Sequence, residues 1–154
     1  MNLAGTADFP FTPDEVWNAL HDVDVLEKAV PGCNFIEVRS EGVYFASVSL
    51  GVSAIKGDYE GTIQVTDLTY PSHYTIVGEG KGKPGYVKVN ADCKLEATEN
   101  GTHLIWSSEA EVGGVIAGIG GRVLTGISKF MAKKFFKALT VEMEKSFKPI
   151  EGVG

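Results

Sequence analysis

The chain has 154 residues, 44% of them hydrophobic and 22% charged, with a formal net charge of −6. That length suits one domain, which buries about 70% of its unfolded surface around a single core. The net charge argues against nucleic acid, whose binding needs clustered cations. The longest weakly polar run, Val112 to Ser128, is broken by Arg122 and falls short of the roughly 20 residues of a membrane span.

In chain order, Asn2 to Phe11 alternates weakly and predicts a first strand. Thr12-Pro13-Asp14-Glu15 then opens a helix, with Thr12 as N-cap, Pro13 in the first helical position and acids at the positive end of the dipole. Glu15 stands three residues after Thr12 and completes a capping box. Val16, Trp17 and Leu20 supply the apolar face. Asp22 or Asp24 caps a second short helix that turns Val25, Leu26, Ala29 and Val30 inward and stops at Pro31-Gly32.

From Cys33 to Val112 no helical period is present, only strand-like runs separated by turns at Glu41-Gly42, Lys56-Gly57, Tyr70-Pro71-Ser72, Lys83-Pro84-Gly85 and Asn100-Gly101. Connections this short imply an antiparallel meander. Alternation assigns faces: Tyr59, Ile63 and Val65 lie opposite Asp58, Glu60 and Gln64. Val87, Val89, Ala91, Cys93 and Leu95 oppose Lys88, Asn90, Asp92, Lys94 and Glu96, and Leu104, Trp106, Ala110 and Val112 oppose His103, Glu109 and Glu111. A sheet with one apolar face needs a cover, and a last helix, predicted from about Gly114 to Phe147, provides it. The fold class is α+β, a helix-grip in which a curved antiparallel sheet wraps around the long C-terminal helix, with two short helices after the first strand. Residues 1–148 form one ligand-binding domain and 149–154 a tail.

Gly113 to Phe136 contains six glycines, although each glycine inside a helix costs roughly 1 kcal/mol relative to alanine. At about 100° per residue, Gly114, Gly118, Gly121, Thr125, Ser128 and Ala132 align along one side of the helix. Ile116, Val123, Ile127, Phe130 and Met131 lie beside them, with Arg122, Lys129 and Lys133 outward. A membrane helix-pairing motif does not fit so short a run. Two readings stay open: the small residues let other elements approach closely, or they leave an elongated apolar void for a ligand. Charge is uneven as well. Arg122 to Lys148 carries a net +5 and residues 1–121 a net −10, which marks a solvated helix face or a cationic surface for an anionic membrane or acidic partner.

Catalytic chemistry is sparse. His21, His73 and His103 are scattered, no pair has metal-ligand spacing, and CxxC and HExxH are absent. Gly80-Lys81-Gly82-Lys83-Pro84-Gly85 enters a strand, whereas a phosphate loop must open a helix, so it is read as a turn. Cys33 and Cys93 make no disulfide framework, no signal-peptide pattern is present, and a reducing, cytoplasmic setting is expected. Neither a metal nor a cofactor is expected, and the protein is not expected to be an enzyme.

Four stretches, "VWNALHDVDVLEKAVPGC" (Val16–Cys33), "GDYEGTIQVTD" (Gly57–Asp67), "GEGKGKPGYVKVNADCKLE" (Gly78–Glu96) and "VGGVIAGIGGRVLTGISKFMAKKFF" (Val112–Phe136), resemble the carbon monoxide dehydrogenase CoxG family, part of the START/Bet v 1-like (SRPBCC) superfamily. The Pro31-Gly32-Cys33 stop and the Gly-rich helix opening are the most specific parts. The resemblance implies a hydrophobic cavity without active-site residues, association with a molybdenum hydroxylase-type dehydrogenase, and binding of a lipophilic molecule, a quinone being favoured, that links the enzyme to the membrane. Many members carry a Pro/Ala-rich tail that ends in an anchor. This chain stops at 149–154 with none, so transient contact at the inner face of the membrane through the basic helix is expected instead.

The expected cavity lining is Tyr59, Ile63, Ile76, Val89, Leu104 and Trp106 from the sheet. From the helix it is Ile116, Gly118, Ile119, Gly121, Val123, Ile127 and Phe130. An assembly or maturation factor for the dehydrogenase is the main alternative. A cyclase- or hydrolase-like enzyme would need an acid–base pair among inward positions that contain no carboxylate or histidine.

Overall fold

The computed structural model describes residues 1–151, so Gly152 to Gly154, the end of the expected tail, lie outside the described residues. Strand β1 (Asn2–Phe9) leads into helices α1 (Pro13–Leu20) and α2 (Val23–Ala29). Six strands follow: β2 (Cys33–Ser40), β3 (Val43–Leu50), β4 (Gly57–Thr69), β5 (His73–Gly82), β6 (Gly85–Thr98) and β7 (Gly101–Gly113). Helix α3 (Gly121–Ser146) closes the fold. The seven strands form one antiparallel sheet in the order β1-β7-β6-β5-β4-β3-β2, so β1 and β2 are its edges.

Local chemistry accounts for the helix starts. The Thr12 hydroxyl accepts from the Glu15 N–H at 3.3 Å, and the Glu15 carboxylate accepts from the Thr12 N–H at 3.0 Å. Asp22, not Asp24, caps α2, accepting from the Asp24 N–H at 2.9 Å. The apolar faces of α1 and α2 meet the sheet and the second half of α3 in a core of Phe9, Phe11, Val16, Trp17, Leu20, Leu95, Leu104, Leu139 and Met143. Phe9 packs edge-on against Phe136 with ring centroids 5.9 Å apart. The core therefore fills the end of the sheet where β1, β7 and β6 meet α1 and the C-terminal half of α3.

The start of α3 departs from the periodicity. The helix begins at Gly121 and not near Gly114, because Gly114 and Gly120 have φ of 72° and 98°, outside the right-handed helical region. Between them Gly114–Gly118 makes a 3-10 turn, tied to the sheet by the Ile116 N–H donating to the Pro84 carbonyl at 2.9 Å. Gly114 and Gly118 consequently share no α-helical line with Gly121, Thr125, Ser128 and Ala132. A Cβ added at Gly118, Gly121 or Gly126 would meet no atom within 4 Å; nothing in the structure explains glycine at these three positions. With no side-chain cap, no acid in its first turn and Arg122 at the positive end of its dipole, α3 starts weakly. Its hold on the core comes from Leu139 and Met143.

His21, at the end of α1, stacks on Trp17 with ring centroids 4.4 Å apart, and its Nδ1–H donates to the Trp17 carbonyl at 2.7 Å. Nε2 is buried without a partner among the described residues. Burial holds this imidazole below the ordinary histidine value of 6.5, against the opposing pull of the Trp17 carbonyl. The unfolded chain thus takes up a proton that the native state refuses, and stability falls as pH drops below about 6.5. His21→Phe keeps the stack and removes the titration. Thermal melts should show it losing less stability than the wild type between about pH 7 and pH 5, and equal losses would assign the slope to other groups.

Candidate functional site

Register lays the inward residues of the sheet out in rows. Ala7, Leu104 and Leu95 are aligned across β1, β7 and β6 at the core end. Further along, Ala91, Ile76 and Val65 are aligned across β6, β5 and β4. Beyond these come Tyr44, Ile63, Gly78 and Val89, then Ala46, Gly61, Gly80 and Val87. In the last two rows glycine stands where a side chain would otherwise rise, and the concave face sinks into a cavity of about 250 Å³ lined by Ala46, Val48, Tyr59, Gly61, Ile63, Gly78, Gly80, Val87 and Val89, with the backbone of Glu60, Thr62 and Glu79 beneath.

Two of these glycines differ in what they permit. At Gly61 a Cβ would lie 2.5 Å from the Glu79 carbonyl oxygen, so the close approach of β4 and β5 excludes any side chain. At Gly80 nothing lies nearer than the Glu60 carbonyl oxygen at 3.9 Å, so the space above it is free. The walls are hydrocarbon except for the Tyr59 hydroxyl, which donates to the Ile55 carbonyl at 2.6 Å and is thereby satisfied. Such a surface shelters apolar groups and offers no polar side chain to orient them.

Of the residues expected at the site, Tyr59, Ile63 and Val89 come together in this cavity. Leu104 is fully buried in the core, and Ile76 and Trp106 pack against that core. Ile116 is buried beside Gly85. Ile119 and Ile127 are half-buried, Gly118 and Gly121 are exposed, and Val123 and Phe130 stand 48% and 55% exposed. The expectations omitted Ala46, Val48, Gly61, Gly78, Gly80 and Val87. Their signal was present in β5, where Gly78, Gly80 and Gly82 recur at every second residue on the inward face. Gly80 to Gly82 is thus strand and not the turn expected; the turn is confined to Lys83 and Pro84.

A larger groove of about 650 Å³ crosses the opposite, convex face, but Glu60, Glu79, Lys81 and Lys88 line it. Charged groups hold water, so it is a poor shelter for hydrocarbon. Burial pushes the Cys93 thiol up to about 11 and raises that of Cys33, where the charge of Glu27 adds to the effect. Neither thiol is an ionised nucleophile at neutral pH. Among the described residues no group of three or more His, Cys, Asp and Glu could hold a metal, and no helix is long and apolar enough to cross a membrane.

A family model for CoxG, the G-type accessory chain of carbon monoxide dehydrogenase, matches residues 5–143. No curated protein matches the chain. A conserved protein from Geobacillus kaustophilus is 36% identical, with a TM-score of 0.92 over 98% of this chain and 100% of its own. Ara h 8.0201 shares the fold at 15% identity and a TM-score of 0.73, covering 95% of this chain and 99% of its own. Protein Ms6760 from Mycobacterium smegmatis does so at 13% identity and a TM-score of 0.72, covering 95% and 92%. The seven-stranded curved sheet with its long C-terminal helix is thus the helix-grip of the Bet v 1-like proteins.

Proposed function

The chain belongs to the carbon monoxide dehydrogenase CoxG family, and from that premise we propose that it is a non-enzymatic binding protein that holds a hydrophobic small molecule, a quinone or other lipid, on the concave face of its sheet for a molybdenum hydroxylase-type dehydrogenase. The observation that carries the reading is the glycine-floored cavity of about 250 Å³ with its hydrocarbon walls. Pockets for whole drug-sized ligands usually measure about 300–1,000 Å³, so this one takes a segment of a long molecule. The half-buried Ile119 and Ile127 are apolar surface for the remainder. Exposed Val123 and Phe130 beside Arg122 and Lys129 suit transient contact with an anionic membrane from the cytoplasmic side.

A second reading, an assembly factor that acts by protein contact, is favoured by the edge strand β2. There Val38 is 61% and Phe35 37% exposed, and Phe35 stacks obliquely on Phe45 at 6.1 Å. Native mass spectrometry of protein purified from its own host, followed by organic extraction, separates the two. A co-purifying quinone or isoprenoid is the expected result. Protein that arrives empty and also fails to take up added decylubiquinone would overturn the carrier reading in favour of the assembly factor.

A further inference from the structure

A second cleft, of about 590 Å³, runs between the edge strand β1 and helix α3 and shares no lining residue with the concave-face cavity. Its wall is apolar where Ala7, Phe9 and Trp106 of the sheet face Ala132 and Phe136 of the helix. Its rim is basic: Lys129, Lys133 and Lys137 stand on one face of α3, each a turn apart, and all three are exposed. Like charges at that spacing repel along a helix. Nothing in the described part of the chain neutralises them, since none of the three lysines is in an ion pair. Asp8, the carboxylate that lines the cleft, is engaged by His103 Nδ1 at 2.7 Å.

A hydrocarbon wall beneath three uncompensated cations matches a molecule with a chain and a negative head. A neutral lipid would leave the lysines repelling one another, and a free anion would leave the wall bare to water. Lysine stems can lie along the apolar wall while their ammonium groups meet the head at the rim. We propose that the β1–α3 cleft binds a single-chain anionic amphiphile of the fatty carboxylate class, its chain against Trp106 and Phe136 and its carboxylate among Lys129, Lys133 and Lys137. This site does not depend on the carrier reading of the concave cavity.

Calorimetric titration of the whole chain with decanoate, decylammonium and hexaglutamate, each below any micelle concentration, tests it. Decanoate should bind and quench Trp106 fluorescence, while decylammonium and hexaglutamate should bind at least about tenfold more weakly. Lys129→Glu/Lys133→Glu/Lys137→Glu should abolish decanoate binding. The corresponding glutamine triple variant repeats the comparison without reversing charge, should the first variant misfold. Gly80→Leu, which fills the other cavity, should leave decanoate binding unchanged. Decylammonium binding as tightly as decanoate would make the cleft a merely apolar surface, and hexaglutamate binding as tightly would make it a surface for acidic protein. Loss of decanoate binding in Gly80→Leu would place the amphiphile in the concave cavity. Any of these three results overturns the proposal.

Discussion

Gly80→Leu should empty the concave cavity of its hydrophobic cargo and leave the protein at least as stable as before. Gly80 lies within β5, its φ is not positive, and the nearest atom to an added Cβ is the Glu60 carbonyl oxygen at 3.9 Å. A leucine there rises into a space of about 250 Å³ whose walls are already hydrocarbon. It removes apolar surface from water and replaces a residue that costs a strand interior roughly 0.5–1 kcal/mol. A gain of 1 kcal/mol raises the melting temperature of a domain this size by about 2–4 °C. Thermal melts and decylubiquinone uptake, read on the same preparation, then move in opposite directions. Uptake that survives the substitution would remove this cavity from the function altogether. Neighbouring glycines are poorer choices. Gly61 has a carbonyl oxygen 2.5 Å from the position of its missing Cβ, and Gly118 and Gly121 are exposed, where a leucine reaches nothing.

The strands and the first two helices were legible because their signals are local. Alternation across Tyr59, Ile63 and Val65 and the reciprocal caps of Thr12 and Glu15 act within a few residues, and both appear as expected. The start of α3 was not legible, since a period of 3.6 counts side chains and is blind to the positive φ of Gly114 and Gly120. Depth along the sheet was hidden for another reason. Val89 and Leu104 follow the same inward alternation, yet one lines a cavity and the other lies in the core. Which fate each meets depends on where the heavy second half of α3, with Phe136, Leu139 and Met143, comes to rest. That is a property of packing, not of period. The glycine floor was different: Gly78, Gly80 and Gly82 announce a missing row of side chains, but the neighbouring Lys83-Pro84-Gly85 turn drew the whole stretch into a loop reading.

Leu104→Ala supplies the matching test of where the core ends. Leu104 is 0% exposed and stands in register with Ala7 and Leu95, within the cluster that contains Leu139 and Met143. Truncating a leucine so enclosed costs about 2–5 kcal/mol, because the transfer energy of the lost methyl groups is joined by that of the cavity left behind. Against a total stability of about 5–15 kcal/mol, the melting temperature should fall by roughly 4–20 °C. The folded fraction should still take up decylubiquinone, since Leu104 does not line the concave cavity. Val89→Ala removes a half-buried side chain and should cost only about 1 kcal/mol of stability. It also deletes part of the cavity wall and should weaken uptake. The two alanine variants therefore rank in opposite order in the melt and in the uptake assay. A Leu104→Ala protein that melts normally but fails to take up the quinone would mean that the bound molecule reaches the core end of the sheet, displacing side chains that the unliganded protein packs shut.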